Sequence, residues 1–376
     1  MSVATQICIS WLSSLITNTK RAIQFGIVFA CGLAYLPNAL LGQDESESMP
    51  QLWCEYAGYN PEDQPKVGLG KRIVFIAGDD EYRSEEALPM LGMIMAAHHG
   101  FDVTVLFPIN PDTNLIQPSY QTNIPGMHRL QSADLVVVAL RFRRLPDDQM
   151  KFFVEYLESG KPIIGLRTST HAFNYPADSD SPYRHFSFDS RDWPGGFGKQ
   201  VLGETWVNHH GAHGQESTRG VPAREMNAHP ILKGVDDIWG DTDVYGIREL
   251  PVNAQVILLG QVIAGMKPTD PAVAGAKNDP MMPLAWTIPY RAESERVAKV
   301  FCTTMGAATD FQSEGLRRLI VNACYWSLDL HTQIPEKSNV DFVRPYQPTA
   351  FGFGTEQKHL KPADFNWRHS EAGHSR

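Results

Sequence analysis

Three short apolar runs, at residues 72–77, 135–140 and 162–166, constrain the fold of this chain more than any other feature of its sequence. None of them shows the apolar–polar alternation of a half-exposed strand, so each is typical of a strand buried on both faces of a parallel sheet. Neighbouring parallel strands need crossover connections, and these are right-handed. The runs therefore predict a doubly wound α/β fold, with a mostly parallel sheet and helices on both faces.

Helix patterns lie between these runs and have recognisable ends. Ser84 is a favoured N-cap, two glutamates follow it in the first turn, and Gly100 ends the pattern. A second helix pattern opens at Pro146 and closes at Gly160. Further strands are predicted at 102–107, 255–261, 284–288 and 297–304, with a closing helix around 316–324.

The chain divides into four predicted segments: an export signal at 1–42, a polar arm at 43–70, one α/β domain at 71–330 and a Pro-rich surface tail at 331–376. Lys20 and Arg21 precede an apolar run from Ala22 to Leu41, a pattern typical of a cleaved export signal. The run is also long enough for an uncleaved membrane anchor. Lipid attachment at Cys31 is a third interpretation. We expect an exported protein of the periplasm or cell envelope.

Charge and cysteine content exclude several classes of partner. The net charge of −9, without a basic patch, argues against nucleic acid, and it leaves the N-terminal leader as the expected membrane contact. Outside the leader, Cys54, Cys302 and Cys324 have no paired spacing, so neither a disulfide framework nor a cysteine zinc site is predicted. We expect a small-molecule ligand and no cofactor.

Polar side chains directly follow three of the predicted strands. In open α/β sheets, ligands bind in the crevice at the carboxyl ends of the strands. The residues in these positions are Asp79, Glu81 and Tyr82 after the first run, Arg141 after the second, and Arg167, Thr168 and His171 after the third. We expect the carboxylates and aromatic rings to suit sugar hydroxyls and ring faces, or to serve acid–base chemistry.

His209, His210 and His213 lie in an aperiodic, Gly-rich stretch between 174 and 228. Loops of such length in a compact domain are usually functional. Hydrogen bonding to a sugar, a role in an active site, metal binding and plain loop histidines are the alternatives. The spacing differs from that of the helical metalloprotease motif, so no metal ligand is assigned.

Short motifs lie at 228–231, 234–235, 242–245, 282–287, 300–306 and 316–326 in the C-terminal half. Their order and spacing give the chain a resemblance, over roughly 71–328, to the ThuA-like (trehalose utilisation) family. It implies the flavodoxin-like architecture of class I glutamine amidotransferases and an association with trehalose or oxidised sugars. It also implies site roles for Asp243 and Tyr245, which match the family's acidic–aromatic motif. Thr242 and Ala307 depart from the family pattern.

Arg167 stands where an amidotransferase of this architecture would carry its cysteine nucleophile. A guanidinium stays protonated and cannot attack a carbonyl, so glutamine amidotransfer is excluded. We predict instead that the chain binds or transforms a sugar by acid–base chemistry, with Glu81, His171 or His209 carrying protons and Arg167 fixing the substrate. The alternatives are a noncatalytic carbohydrate-binding module, a metal-dependent hydrolase using the three loop histidines, and a hydrolase using Thr168 or Ser169 with His171.

Overall fold

The computed structural model describes residues 51–368, which form one large sheet with helices packed against it. Its strands are β1 (Trp53–Tyr56), β2 (Arg72–Gly78), β3 (Asp102–Leu106), β6 (Leu135–Leu140), β7 (Ile163–Leu166), β8 (Ser217–Pro222), β9 (Trp239–Gly240), β10 (Gln255–Ile263), β11 (Met282–Arg291) and β12 (Val297–Thr303). Two further strands, β4 (Ile109–Asn110) and β5 (Leu115–Ile116), form a separate hairpin.

The sheet has the order β1-β3-β2-β6-β7-β12-β11-β10-β8-β9. The five central strands, from β3 to β12 in this order, are parallel to one another. The outer strands pair antiparallel with them and with each other. The predicted α/β class is therefore confirmed. The antiparallel extension beyond β12 has its own cause: short connections such as the one between β11 and β12 cannot hold the crossover that a parallel pair needs.

Helices cover both faces of the central strands. Helix α1 (Ser84–His99) and helix α3 (Glu314–Ser327) pack on one face, and helix α2 (Asp147–Glu158) packs on the other. In β2, Ile73, Phe75 and Ala77 join the first core, whereas Val74 and Ile76 join the second. Because both faces of β2 are buried, its sequence is a continuous apolar run without polar alternation.

The start of α1 differs from its sequence prediction. Ser84 does not cap the helix; Arg83 occupies the N-cap position with φ 61°. The hydroxyl of Ser84 instead accepts hydrogen bonds from the backbone N–H groups of Gly78 (3.1 Å) and Asp79 (3.0 Å). It therefore ties the end of β2 to the helix. Gly100 ends α1 as predicted, with φ 78°.

Both segments predicted to flank the domain contribute to it. In the predicted polar arm, β1 pairs with β3 and buries Cys54 and Tyr56. In the predicted surface tail, Ile334, Val340 and Trp367 are buried in the core of the α1 face. The domain thus extends beyond 71–330, because these segments cover α1 and the sheet edge.

The predicted export signal at 1–42 lies outside the described residues, as does the choice between cleavage, anchoring and lipid attachment. Within 51–368, no helix combines the length and apolar character needed to cross a membrane.

Candidate functional site

A cluster of charged and aromatic side chains lies at the carboxyl ends of β2, β6 and β7. It is built from the loop after β2, from Arg141 after β6, from a short 3-10 helix (Arg167–His171) after β7, and from two strand-like segments around His209 and Asp243. We call the space among Glu81, Arg141, His209 and His213 the crevice.

Arg167 sits at the turn after β7 with φ 42°, a left-handed conformation that few non-glycine residues adopt. Its guanidinium is 1% exposed. Nη1 donates to the backbone oxygens of Asp243 (2.9 Å) and Thr304 (2.7 Å), and Nη2 donates to the Asp243 carboxylate (3.0 Å) and the Tyr82 hydroxyl (3.2 Å). The prediction that Arg167 contacts the substrate is therefore not supported by its position, because both terminal nitrogens are already committed inside the protein.

The rings of Tyr82 and Tyr245 complete the burial of this guanidinium. The Cζ atom of Arg167 lies 4.4 Å from the ring centre of Tyr82 and 4.1 Å from that of Tyr245. Such cation–π contacts are strongest where water is absent. The two tyrosines, predicted to bind substrate, are themselves buried and pack against Arg167, so their positions do not support a direct contact with substrate.

Asp243 is the centre of the cluster. Its buried carboxylate accepts hydrogen bonds from Arg167, from Nδ1 of His209 (2.7 Å) and from Nδ1 of His213 (3.1 Å). Burial acts to raise the pKa of Asp243, but the His209 hydrogen bond and the Arg167 charge outweigh it and hold the pKa at about 2. An ionised carboxylate can only accept, so Nδ1 of each histidine carries the proton and Nε2 is left to other partners.

Strand-like geometry explains why His209 reaches Asp243 and His210 does not. His209 forms a β-bridge with Tyr245, and the N–H of His210 donates to the Val244 oxygen (2.9 Å). Successive side chains in such a segment point to opposite sides. Nε2 of His210 accordingly lies 2.8 Å from the backbone oxygen of Lys277, which removes this residue from the predicted set of three.

His213 links Asp243 to Glu81. Its Nε2 atom lies 3.4 Å from Oε1 of Glu81, whose other oxygen is 3.6 Å from Nε of Arg141. Burial, followed by the nearby charge of Asp79, raises the pKa of Glu81. The crevice thus places a carboxyl group that retains its proton more readily than usual close to two half-exposed histidines.

Asp79 and Thr168 are buried and bind each other. The Thr168 hydroxyl donates to the Asp79 carboxylate, which also accepts from the N–H groups of Glu81 (2.7 Å) and Tyr82 (3.0 Å). These hydrogen bonds hold the loop that carries Glu81, and the burial of both side chains does not support the predicted contact with a ligand.

His171, predicted as a proton carrier, lies beneath the site. Nδ1 is 3.2 Å from the Thr170 hydroxyl, and the ring is surrounded by Phe142, Trp206 and Tyr245. Burial and the charge of Arg141 hold the pKa of His171 well below its ordinary value. His171 is therefore a neutral, packed side chain, and its position does not support the predicted role as a proton carrier. The hydrolase alternative is not supported either, because the Ser169 hydroxyl donates to the backbone oxygen of Val138 (2.8 Å) and the Thr168 hydroxyl donates to Asp79.

Sequence reasoning missed three residues of the crevice: Asp80, Phe351 and Phe353. Asp80 binds Arg141 at 3.0 Å, and its place after β2 was a usable signal. The ring of Phe351 lies 5.4 Å from that of His213, and the ring of Phe353 lies 4.8 Å from Cζ of Arg141. Both phenylalanines belong to the predicted tail, where no local pattern points to a site more than a hundred residues away.

Several cavities among residues 51–368 lie away from this cluster, and two of them show the range of size. One of about 190 Å³ separates α1 from the C-terminal segment around Tyr346. A groove of about 1100 Å³ lies beside Tyr183, Trp193 and Tyr290, near the amino-terminal end of β12. Neither is lined by the crevice histidines or Glu81, so it is the chemistry of the crevice, and not a large volume, that marks it as the candidate site.

Comparison with known proteins gives one sequence match that covers most of the domain. The family model for ThuA, described as trehalose utilisation, matches residues 77–327. No curated protein matches the sequence.

Solved structures give only distant likenesses. A ThuA-like protein of Parabacteroides merdae has 15% identity and a TM-score of 0.44, covering 79% of this chain and 99% of its own. One from Bacteroides uniformis has 14% identity and a TM-score of 0.42, covering 72% and 95%. A glutamine amidotransferase of Methylobacillus flagellatus has 10% identity and a TM-score of 0.31, covering 70% and 94%.

Proposed function

Because the chain belongs to the ThuA family, whose model is described as trehalose utilisation, we propose that its crevice binds and transforms a sugar or an oxidised sugar by acid–base chemistry. The observation that carries the proposal is the buried carboxylate of Asp243, which holds His209 and His213 by their Nδ1 atoms. A carboxylate–histidine pair of this kind fixes the tautomer and turns Nε2 towards a substrate.

His209 is the base. Its side chain is 35% exposed, and with Nδ1–H donated to Asp243, Nε2 has a lone pair to accept a proton. The imidazolium formed when it does so is stabilised by the ionised carboxylate behind it. Asp243 is suited to that role because its low pKa keeps it charged.

Glu81 is the acid. In isomerisation of an oxidised sugar, His209 removes the proton from the carbon next to the carbonyl, the electron pair moves into a carbon–carbon double bond, and Glu81 protonates the carbonyl oxygen. His209 then returns its proton to the former carbonyl carbon, while the hydroxyl on the adjacent carbon gives its proton to the Glu81 carboxylate and becomes the new carbonyl, so that both side chains regain their starting protonation states. The raised pKa of Glu81 suits proton donation near neutral pH, because general acids work best when their pKa is close to the working pH.

A noncatalytic sugar-binding module is the competing interpretation. Such a module needs no acid or base in the crevice. The convergence of Glu81, His209 and His213 within one set of contacts favours catalysis, since hydrogen bonding to sugar hydroxyls does not require a histidine aligned by a buried carboxylate.

The test compares His209→Ala with His210→Ala, neighbours in the same loop of which only the first contacts Asp243. Purified variants are screened by thermal shift with trehalose, other disaccharides and their oxidised forms, and turnover is followed by NMR. We expect His209→Ala to lose turnover by at least a hundredfold, in line with the typical contribution of a general base, and His210→Ala to retain it. Binding to the folded state raises the melting temperature, so absence of any shift with the wild-type protein excludes the carbohydrate proposal.

A metal-dependent hydrolase is a second candidate, favoured by one observation. Ligand atoms of His209, His213 and Asp243 all lie within 4.8 Å of one another, a set of two histidines and a carboxylate that suits zinc. The guanidinium of Arg167, 3.0 Å from Asp243, disfavours a dication there. In this form of the site His210, the third residue of the predicted set, takes no part.

Metal content separates this candidate from the acid–base proposal. Elemental analysis of the purified full chain, before and after zinc addition and dialysis, should give one zinc per chain if the metal candidate holds, and none in His213→Ala. Less than one zinc per chain in the wild-type protein excludes the metal-dependent hydrolase.

A further inference from the structure

The C-terminal segment 349–355, which we call the strap, lies across the loop that carries Glu81. The N–H of Gly352 donates to the backbone oxygen of Glu81 (2.8 Å), and the buried guanidinium of Arg83 donates to the Gly352 oxygen and the Thr355 hydroxyl. The N–H of Thr349 donates to the Glu86 carboxylate (2.7 Å). The strap is therefore anchored to the fold at several points. It also lies outside the residues matched by the family model, 77–327.

The strap brings two aromatic rings to the edge of the crevice. Phe351 packs against Tyr82, with ring centres 5.5 Å apart, and against His213 at 5.4 Å. Phe353 lies over the guanidinium of Arg141, which is also in contact with Phe142. Phe353 is nevertheless 59% exposed. The anchored backbone of the strap thus holds an accessible phenyl ring beside the charged side chains of the crevice.

Two carboxylates orient Arg141 beside this ring. It is held by Asp80 (3.0 Å) and Glu81 (3.6 Å), and 17% of its side chain remains exposed at the edge of the crevice. A phenyl face next to an oriented guanidinium matches a cyclic sugar, which has an apolar face of C–H groups and a rim of hydroxyls. An open-chain sugar has no such face to offer.

We propose that Phe353, supported by Phe351 and Arg141, forms a subsite that selects cyclic sugars over acyclic ones. This inference rests on the proposed function, since it names the ring form of the ligand that the crevice takes. The subsite belongs to the strap and adds a contact that the ThuA-matched part of the chain does not supply.

The experiment uses Phe353→Ala and Phe353→Leu in the full chain, with Leu69→Ala as control. Leu69 has the same exposed fraction as Phe353, 59%, but lies in the loop before β2, at the other end of that strand from Asp79. Because both side chains are largely in water, the variants should fold, and equal melting temperatures confirm it. Affinities are measured by calorimetry for trehalose, maltose and glucono-1,5-lactone as cyclic probes, and for sorbitol and gluconate as acyclic probes.

We expect Phe353→Ala to weaken binding of the cyclic probes about tenfold, Phe353→Leu to weaken it less, and Leu69→Ala to leave it unchanged. Acyclic probes should bind equally to all variants. If the wild-type protein binds a cyclic probe and Phe353→Ala binds it equally, or if cyclic and acyclic probes weaken together, the subsite is excluded and the proposed function stands. If the wild-type protein binds an acyclic probe but no cyclic probe, the subsite is excluded and the proposed function stands, whereas binding of neither class excludes both.

Discussion

Asp243 and Glu85 are both buried carboxyl groups, yet their surroundings give them opposite protonation behaviour. Asp243 accepts hydrogen bonds from Arg167, His209 and His213, and its pKa is held at about 2. Glu85, in the first turn of α1, has no hydrogen bond from another residue to either carboxyl oxygen, and burial raises its pKa to about 8. Its own backbone N–H and the charge of Arg83 oppose that rise without cancelling it.

Asp79 is an intermediate case between them. It accepts hydrogen bonds from two backbone N–H groups and from Thr168, but burial still raises its pKa. Neutral donors therefore do not compensate for lost hydration as fully as a guanidinium and two histidines do. Burial alone does not mark a functional carboxylate; the partners decide whether it remains charged.

The largest expected effect comes from Asp243→Asn, which leaves the guanidinium of Arg167 buried without its counter-charge. Removing one member of a buried pair costs about 3–5 kcal/mol of unfolding free energy. Urea denaturation at pH 7 measures this cost. The matched control is Asp80→Asn, because Asp80 pairs with Arg141 at the more exposed edge of the crevice and its loss should cost under about 1 kcal/mol.

Acid titration extends this prediction. The folded-state pKa of Asp243 lies below its ordinary value of 3.8, so its stabilising contribution is present above that value and is lost as the pH falls towards 2. That loss should be absent in Asp243→Asn. Equal costs for the two asparagine variants at pH 7 would show that Arg167 does not depend on Asp243.

Glu85→Gln should have the next largest effect, on the pH dependence of stability. The folded protein keeps the proton of Glu85 up to about pH 8, whereas the unfolded chain releases it near 4.5, so wild-type stability falls as pH rises between these values. Relative to Glu85→Gln, the wild-type protein should lose about 3 kcal/mol between the ordinary pKa and pH 7, because each unit of pKa difference corresponds to about 1.4 kcal/mol. Denaturation at several pH values measures the difference.

The control for this prediction is Glu155→Gln, on the exposed face of α2. Other titrating groups, including His99, are common to all three proteins and cancel in the comparison. A wild-type curve parallel to that of Glu85→Gln contradicts a buried, protonated Glu85.

The smallest expected effect is that of Thr168→Val, which removes one neutral donor from Asp79. We expect a loss of about 1 kcal/mol, the typical net value of one hydrogen bond, measured by denaturation at pH 7. Thr304→Val is the matched control, because its buried hydroxyl has no hydrogen-bond partner among the described residues. That substitution should be neutral or stabilising, and the reverse ranking of the two variants contradicts the role given to Thr168.

Local sequence patterns were sufficient to predict the central strands and the end of the first helix. The apolar runs at 72–77 and 135–140 lie within β2 and β6, and Gly100 ends α1, because strand burial and helix termination depend on residues close in sequence. The same reasoning brought Glu81, Arg141 and Arg167 to one edge of the sheet, since parallel strands align their carboxyl ends.

Which side chains contact one another in the site was decided only by the tertiary structure. The sequence identified Arg167, but its burial between Tyr82 and Tyr245 depends on chain segments more than seventy residues away on either side. Likewise, nothing in the tail indicated that Phe351 and Phe353 reach the crevice. Periodicity reports whether a residue faces a core, whereas hydrogen-bond partners and pKa values depend on atoms that only the folded chain brings within a few ångströms.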